Sequence, residues 1–264
     1  MGPPSAATSS RKTIWITGAS TGIGRELALS YAYDGHRVAV SARSAGKLSE
    51  LEALSSNITA FPVDVTDTGA VAATVATIES TMGPIDLAIL NAGVWHAMTA
   101  SRYDLGKVKT SMDVNYFGVT NALDPVMKAM IARGRGHLAI VASVAGYRGL
   151  PKGAAYAPTK AALISLAESL YADLKIKGVK MTVINPGFIA TPMTEANTFP
   201  MPFIVSTETA VKAIRKGLDS GRFEIVFPGR MAVLMKTLRL LPYRIFFLAN
   251  GAIAKREPPP KDKA

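Results

Sequence analysis

A tyrosine and a lysine stand four residues apart in the stretch Tyr156-Ala157-Pro158-Thr159-Lys160. Side chains at this spacing share one face of a helix. A tyrosine with an ordinary pKa of about 10 is a poor base at neutral pH, and a neighbouring ammonium stabilises the phenolate and lowers that pKa. The pair therefore predicts a proton donor and acceptor suited to a carbonyl/alcohol couple. Because many helices carry Tyr-x-x-x-Lys by chance, the prediction needs support from other residues.

Two polar residues upstream offer that support. Ser143 ends the apolar run His137–Ser143 and precedes Tyr156 by thirteen residues, so its hydroxyl could lie at the edge of a sheet and bind a substrate carbonyl oxygen. Asn115 lies in a helical pattern, where asparagine is a weak helix former. The alternatives are a strand-end turn residue for Ser143 and a helix-surface amide for Asn115.

The stretch Thr17–Gly24, "TGASTGIG", supports two interpretations. Gly18 to Gly22 fits G-x-S-x-G, the turn that presents a nucleophilic serine in α/β-hydrolases. The same string fits a glycine-rich turn from a strand into a helix, where backbone amides meet a phosphate. Only seventeen residues precede Gly18 and the chain has no HGGG-like oxyanion loop. Dinucleotide binding is therefore the preferred interpretation.

The end of the second predicted strand bears on which dinucleotide is bound. Recognition of a free ribose hydroxyl needs a carboxylate about 20 residues beyond the glycines. Here the strand ends Val40-Ser41-Ala42-Arg43-Ser44, with no acidic residue. A guanidinium at Arg43 suits a 2′-phosphate, which favours NADP over NAD. The alternative is that Arg43 is a solvated loop residue.

Short apolar runs alternate with longer helical patterns along the chain. This alternation predicts a single-domain α/β protein with a Rossmann-type, doubly wound parallel sheet of about seven strands and helices on both faces. The predicted strands are Thr13–Thr17, Arg37–Ala42, Ala60–Val63, Leu87–Leu90, His137–Ala142, Lys180–Ile184 and Glu224–Phe227. The predicted helices are Arg25–Asp34, Ala45–Ser55, Thr68–Thr81, Tyr103–Ala132, Tyr156–Lys177 and Thr207–Asp219.

The chain divides into a flexible N-terminus (1–11), a dinucleotide-binding and catalytic domain (12–230), a C-terminal helical extension of that domain (231–256) and a disordered tail (257–264). No secretory signal and no apolar stretch of about 18 residues is visible, so a cytoplasmic protein is expected. The chain has no cysteine and its three histidines lie far apart. We therefore expect no metal site.

The net charge of +11 is concentrated toward the C-terminus. A basic end suggests anionic partners or a solubilising surface, while no nucleic-acid-binding motif is present. Residues 230–250, "RMAVLMKTLRLLPYRIFFLAN", are rich in apolar side chains, and Pro242 interrupts their helical pattern. Three roles stay open for this segment: peripheral contact with an anionic membrane, a dimer interface, or a cover over the substrate pocket.

The segment Pro192–Ser206 offers an apolar lining through Met193, Phe199, Met201 and Phe203. Such a lining suits a lipophilic ketone or alcohol better than a sugar. Alternatively, these residues pack onto the protein's own core.

Together these motifs resemble the short-chain dehydrogenase/reductase family over about residues 12–230. The resemblance also includes "VDV" at Val63–Val65, "LNAG" at Leu90–Gly93 and "PGFIAT" at Pro186–Thr191, in the family's order. One departure is Leu90, where the family usually has asparagine. The functional asparagine of that motif is the second residue, Asn91, which is present.

The resemblance implies a role for each matching position. Tyr156 would be the general acid/base, Lys160 would lower its pKa and hold the nicotinamide ribose, Ser143 would polarise the carbonyl, and Asn115 would anchor a water chain that passes protons through Lys160. Asp64 and Val65 would flank the adenine, and Asn91 would lie near its ribose. Ile189 and Thr191 would contact the nicotinamide carboxamide. The full expected cofactor set is Gly18, Ser20, Thr21, Gly22, Ile23, Gly24, Arg43, Asp64, Val65, Asn91, Ala92, Gly93, Tyr156, Lys160, Pro186, Gly187, Ile189 and Thr191.

These observations lead to an NADP(H)-dependent oxidoreductase that interconverts a carbonyl and a secondary alcohol on a lipophilic small molecule. A reductase of 3-oxoacyl thioesters is the rival enzyme, because the same residues perform that reaction and a basic surface could hold an acidic carrier. A cofactor-binding protein without turnover is the third hypothesis. The resemblance also implies a homodimer or homotetramer.

Overall fold

The protein is described by a computed structural model that covers residues 11–195, 197 and 199–254. The predictions for residues 1–10 and for the tail 257–264 lie outside these residues. The proposed division of the remaining chain at residue 230 stays a prediction.

Seven parallel strands form one sheet in the order β3-β2-β1-β4-β5-β6-β7. The predicted doubly wound fold is confirmed, because the chain winds outward from β1 in one direction and then from β4 in the other. The strands are β1 Thr13–Thr17, β2 Arg37–Ser41, β3 Ile58–Ala60, β4 Leu87–Leu90, β5 Gly136–Val141, β6 Val179–Pro186 and β7 Glu224–Phe227.

Helices cover both faces of the sheet, because successive side chains of a strand point to opposite sides. Ile14 and Ile16 of β1 pack in one core with helices α1, α2 and α8. Trp15 packs in the other core with α3, α5 and α6. The helices are α1 Gly22–Tyr33, α2 Ala45–Glu52, α3 Thr68–Met82, α4 Leu105–Met112, α5 Gly118–Ala132, α6 Ala157–Ile176, α7 Pro192–Glu195, α8 Thr207–Asp219, α9 Gly229–Leu240 and α10 Tyr243–Ala254.

The third strand differs from its prediction. It runs over Ile58–Ala60, where Ala60 lies opposite Val40, whereas the sequence predicted Ala60–Val63. Pro62 has no backbone N–H and so cannot continue a regular ladder. The ladder therefore uses the residues before this proline.

The predicted helix over Tyr103–Ala132 is interrupted. Between α4 and α5, residues Asp113–Phe117 form a wider π-helical turn. Such turns occur at functional sites inside helices, and this one contains Asn115. At the other end of the chain, the predicted break at Pro242 is confirmed, because α9 ends at Leu240 and α10 begins at Tyr243.

In the part of the chain that the structure describes, no helix combines the length and the apolar character needed to cross a membrane.

His137 of β5 is a half-buried histidine away from the edge where the strands end. The Thr182 hydroxyl donates to the Arg222 carbonyl at 2.8 Å, so His137 Nε2 is the donor in its 2.8 Å hydrogen bond to Thr182 Oγ1. Burial, followed by the Lys180 and Lys12 charges, lowers the pKa of His137 from 6.5 to about 4.

We expect His137→Gln to remove an acid-labile contribution to stability. The pKa of His137 is lower in the folded protein than in the unfolded chain. The stability that neutral His137 contributes is therefore fully present above the unfolded-state pKa, and it is lost as the pH falls toward 4. From neutral pH down to pH 5, the wild-type free energy of unfolding should fall by about 2 kcal/mol more than that of the variant. Urea unfolding at a series of pH values measures both slopes, and identical slopes would contradict the argument.

Candidate active site

The ends of four parallel strands meet at one edge of the sheet. Thr17, Leu90, Val141 and Pro186 are the last residues of β1, β4, β5 and β6. Each strand is followed by one candidate segment: the glycine-rich turn after β1, the "NAG" segment after β4, the segment with Ser143 after β5, and the segment that begins at Gly187 after β6. Because parallel strands end at the same edge, residues distant in sequence come together there.

Tyr156 and Lys160 lie at the start of α6. Tyr156 is the residue before the first helical position, and Thr159 donates a hydrogen bond to its carbonyl at 2.7 Å. Lys160 is buried, donates from Nζ to the Val141 carbonyl at 2.9 Å, and lies 5.5 Å from the centroid of the Tyr156 ring. The predicted juxtaposition of phenol and ammonium is therefore present.

Burial is the main influence on the pKa values of this pair. Burial raises the pKa of Tyr156 to about 12, and hydrogen bonding to the Ser143 side chain acts in the opposite direction. Burial lowers the pKa of Lys160 to about 8. The sequence predicted that Lys160 would lower the pKa of Tyr156. In this structure, burial is the larger of the two causes that act on the Tyr156 pKa, and the Ser143 side chain is the other, so the influence of Lys160 stays a prediction.

Ser143 follows β5 and makes three kinds of contact. Its side chain lies close enough to Tyr156 to lower the pKa of that phenol, and its hydroxyl donates to the Pro186 carbonyl at 3.3 Å and accepts from the Ala145 backbone N–H at 3.1 Å. The last contact caps the 3-10 turn Val144–Gly146. Ser143 is thus both a turn residue and a neighbour of the tyrosine.

Asn115 is fully buried in the π-helical turn. Its side-chain oxygen accepts from Val94 N–H at 2.7 Å, and its Nδ2 donates to Val94 O at 3.0 Å and to Thr159 Oγ1 at 3.1 Å. A Cβ added at Gly93 would lie 3.3 Å from Asn115 Oδ1 and 3.6 Å from Lys160 Nζ. This amide therefore joins the segment after β4 to the start of α6, and the helix-surface alternative is wrong.

The glycine-rich turn is fixed by Asn91. Its Nδ2 donates to Thr17 O at 3.1 Å and to Gly18 O at 3.2 Å, and its own N–H donates to Thr17 Oγ1 at 3.0 Å. Gly18 has a φ of +67°, and a Cβ there would lie 2.7 Å from Ala92 Cα. A Cβ at Gly24 would lie 2.5 Å from Gly18 O. The glycines therefore allow the turn, β4 and the first turn of α1 to approach closely.

The start of α1 fits a phosphate-containing cofactor. Thr21 precedes the helix without a side-chain capping bond, and α1, which is described in full, has no carboxylate in its first turn. A Cβ at Gly22 would meet Thr191 Cγ2 at 3.3 Å, which places the turn against the segment that follows β6. Backbone N–H groups at a helix start attract anions, so these residues fit the pyrophosphate of a dinucleotide.

Arg43 and Asp64 line one cleft of about 570 Å³, together with Val114 and Phe117. Arg43 is exposed, and Asp64 accepts hydrogen bonds from the Thr66 N–H at 3.0 Å and hydroxyl at 2.9 Å. The neighbouring Val65 is buried. The cleft thus brings Arg43 and Asp64 together, and their roles toward the adenine end of the cofactor stay predictions.

The remaining predicted cofactor residues also lie at this edge. The Gly187 N–H donates to the Phe227 carbonyl at 2.8 Å, and Ile189 is buried. The Thr191 carbonyl accepts a hydrogen bond from the Thr194 hydroxyl at 3.0 Å. Ser20 lies in the glycine-rich turn and Ile23 lies in α1. Ala92 and Gly93 come after β4, and Pro186 is the last residue of β6. Their individual roles toward a cofactor stay predictions.

An aromatic group beside Tyr156 was only partly predicted. The Trp95 ring lies edge-on to the Tyr156 ring with a centroid distance of 5.0 Å, and Phe199 lies 6.3 Å from Trp95 and 6.1 Å from Phe188. Trp95 Nε1 also donates to Asn197 Oδ1 at 3.0 Å. Phe199 was predicted as pocket lining, whereas Trp95 and Phe188 were not. One of only two tryptophans, directly after the "LNAGV" stretch, was the signal available in the sequence.

Comparison with known proteins gives the family. The sequence profile described as short chain dehydrogenase matches residues 12–200. The protein belongs to the short-chain dehydrogenase/reductase family. An uncharacterized oxidoreductase of Myxococcus xanthus is 39% identical over 241 residues, which cover 90% of this chain and 95% of that protein. The chain is therefore an oxidoreductase of a family that binds NAD(P).

Other relatives extend this picture. The ketoacyl reductase HetN of a Nostoc species is 29% identical over 81% of this chain and 78% of its own length. A short-chain dehydrogenase from Burkholderia cenocepacia, solved in complex with NADP, has the same fold with a TM-score of 0.79, 24% identity, and coverage of 90% and 97% of the two chains. A Mycobacterium marinum structure of the family matches with a TM-score of 0.75 and 27% identity over 83% of this chain and 94% of that one.

Proposed function

We propose that this short-chain dehydrogenase/reductase uses NADP(H) to interconvert a carbonyl group and a secondary alcohol on a lipophilic substrate. The arrangement that carries the proposal places Tyr156 beside the Ser143 side chain and against an aromatic wall formed by Trp95, Phe188 and Phe199. A carbonyl carbon held beside Tyr156 would have an apolar wall on one side and two hydroxyl groups at its oxygen. Apolar pockets with few polar groups suit lipophilic ligands.

Each polar residue then has one task. The bound nicotinamide supplies or accepts the hydride. The Tyr156 hydroxyl gives its proton to the carbonyl oxygen during reduction and takes one from the alcohol during oxidation. The Ser143 hydroxyl orients the same oxygen by a hydrogen bond. Lys160 and Asn115, which both lie beside Gly93, hold the backbone after β5 and β4 and would move protons toward the tyrosine.

Replacing Tyr156 with phenylalanine should remove the proton donor and leave the ring in contact with Trp95. We expect kcat/KM for ketone reduction to fall by about 100-fold or more, while NADPH binding, measured by the fluorescence of the dihydronicotinamide, is unchanged. Tyr171→Phe is the matched control, because Tyr171 lies edge-on to Phe223 with a centroid distance of 4.8 Å and is an exposed residue of α6. Equal rates in Tyr156→Phe and wild type would reject the mechanism and favour a cofactor-binding protein without turnover.

The preference for NADP rests on Arg43 and on the neutral, buried Ala42 before it. With Arg43→Ala, the KM for NADPH should rise about 10- to 100-fold, the range for losing charge-assisted hydrogen bonds to a phosphate. The KM for NADH is the internal control, because that cofactor lacks the 2′-phosphate, and it should change little. A parallel rise for both cofactors would show that Arg43 serves the structure of the loop instead.

The aromatic wall should discriminate among substrates. With Trp95→Ala, we expect KM for long-chain and cyclic ketones to rise about tenfold through lost apolar contact, while small ketones are affected less.

The similarity to HetN and the net charge of +11 favour a 3-oxoacyl thioester as the second candidate substrate. Acetoacetyl-CoA belongs in the same panel. A kcat/KM for the thioester well above that for every free ketone would decide for the second candidate.

A further inference from the structure

The last two helices expose an unusual number of large apolar side chains. Met231 and Met235 of α9 and Phe246 of α10 are buried against the rest of the protein. Of the eighteen exposed large hydrophobic residues in the described chain, seven lie on these two helices. They are Val233, Leu234, Leu240, Tyr243, Ile245, Phe247 and Leu248.

The same segment carries only positive charge. The sequence contains no acidic residue between Glu224 and Glu257. Within this interval, Lys236 pairs with Glu224, whereas Arg230 and Arg244 form no ion pair with a carboxylate of the described residues. An exposed apolar surface is thus combined with cations that lack a partner of opposite charge.

The two helices are held beside the active site. Arg148 donates to the Leu241 carbonyl at 3.0 Å, and its guanidinium lies 4.5 Å from the Tyr243 ring centroid and 4.4 Å from that of Phe246. Arg148 follows the 3-10 turn that Ser143 caps. At the start of α9, Met231 packs against Gly187, where an added Cβ would lie 2.9 Å from its Cγ. The exposed side chains are therefore presented by an ordered segment near the catalytic residues.

We propose that helices α9 and α10 bind the surface of a membrane that contains anionic lipid. Apolar side chains inserted at the boundary between headgroups and acyl chains, with arginines at the headgroups, are the pattern of an interfacial helix. Each cation near an anionic leaflet adds attraction. The segment lies on the membrane and does not cross it.

Two other occupants fit the observations less well. A second copy of the chain, joined by a two-fold axis, would bring identical patches together and oppose their unpaired arginines. Residues 1–10 and 255–264 do not match this surface, since they contain Met1 and otherwise no large apolar side chain. Anionic lipid satisfies the apolar and the charged requirement together.

Vesicle sedimentation tests the proposal without substrate or cofactor. We expect the full chain to sediment with vesicles of phosphatidylcholine and phosphatidylserine in about 0.1 M salt and to be largely released in about 1 M salt, where the screening length falls to about 3 Å. Vesicles of phosphatidylcholine alone should bind it at least tenfold more weakly. Equal binding to both compositions, or no binding to either, would overturn the proposal.

A matched pair of double variants locates the surface. Phe247→Ser with Leu248→Ser removes side chains that are 60% and 79% exposed, whereas Leu54→Ser with Ile176→Ser removes side chains that are 58% and 82% exposed elsewhere. The first variant should lose at least tenfold in vesicle affinity and the second should bind like wild type, with thermal melting showing that both are folded. Arg244→Glu should weaken binding and reduce its dependence on salt.

Sedimentation velocity of the same proteins distinguishes lipid from a second copy. We expect Phe247→Ser with Leu248→Ser to keep the wild-type oligomeric state. If it instead dissociates an oligomer while vesicle binding is absent throughout, the surface is an interface between copies and the proposal is wrong. Because none of these measurements involves turnover, failure here is separate from failure of the proposed activity.

Discussion

All seven strands run in the same direction, and this constraint determines where the chemistry can occur. Each strand must be followed by a connection that leaves from the same edge of the sheet. The order of the strands places β1 next to β4, and β4 next to β5. Three loops therefore lie next to one another at this edge: the glycine-rich turn, the segment after Leu90 and the segment after Val141. No single one of these loops forms the site, and their proximity follows from the sheet.

Side-chain amides and one buried ammonium convert that proximity into fixed geometry. Asn91 joins the end of β4 to the turn after β1, and Asn115 joins the segment after β4 to α6. Lys160 joins α6 to the last carbonyl of β5. Asn115 and Lys160 are buried and Asn91 is half-buried, and polar groups removed from water are costly unless they are hydrogen-bonded. Each one therefore disfavours arrangements in which neighbouring loops separate.

The sheet was predictable because its strands are short apolar runs that are buried on both faces. Local pattern was less informative where backbone chemistry or tertiary contacts decide. Because Pro62 cannot continue a regular ladder, the third strand lies at Ile58–Ala60 and not at the predicted Ala60–Val63. The π-helical turn around Asn115 has the same apolar spacing as a continuous helix, and hydrogen bonds to Val94 and Thr159 hold it. Neither partner is near Asn115 in sequence, so periodicity could not reveal the turn.

The candidate site shows a similar division. The predicted residues were identified by motif, and the sheet brings them to one edge. Trp95 was not identified, because its position beside Tyr156 depends on the path of the chain after β4 and on its bond to Asn197. The pKa of Tyr156 also depends on burial, a property of the folded protein. Spacing alone suggested proximity to a cation, whereas desolvation determines the direction of the shift.

That direction has a consequence for catalysis. With the pKa of Tyr156 raised to about 12 and that of Lys160 lowered to about 8, the pair at neutral pH consists of a neutral phenol and a largely protonated amine. A phenol that retains its proton is a donor, which is the role that reduction of a carbonyl requires. Oxidation of an alcohol would need the phenolate, and burial opposes its formation. In the proposed mechanism, the proton that Tyr156 holds is the one delivered to the carbonyl oxygen, and a positive charge brought close to the phenol would lower its pKa.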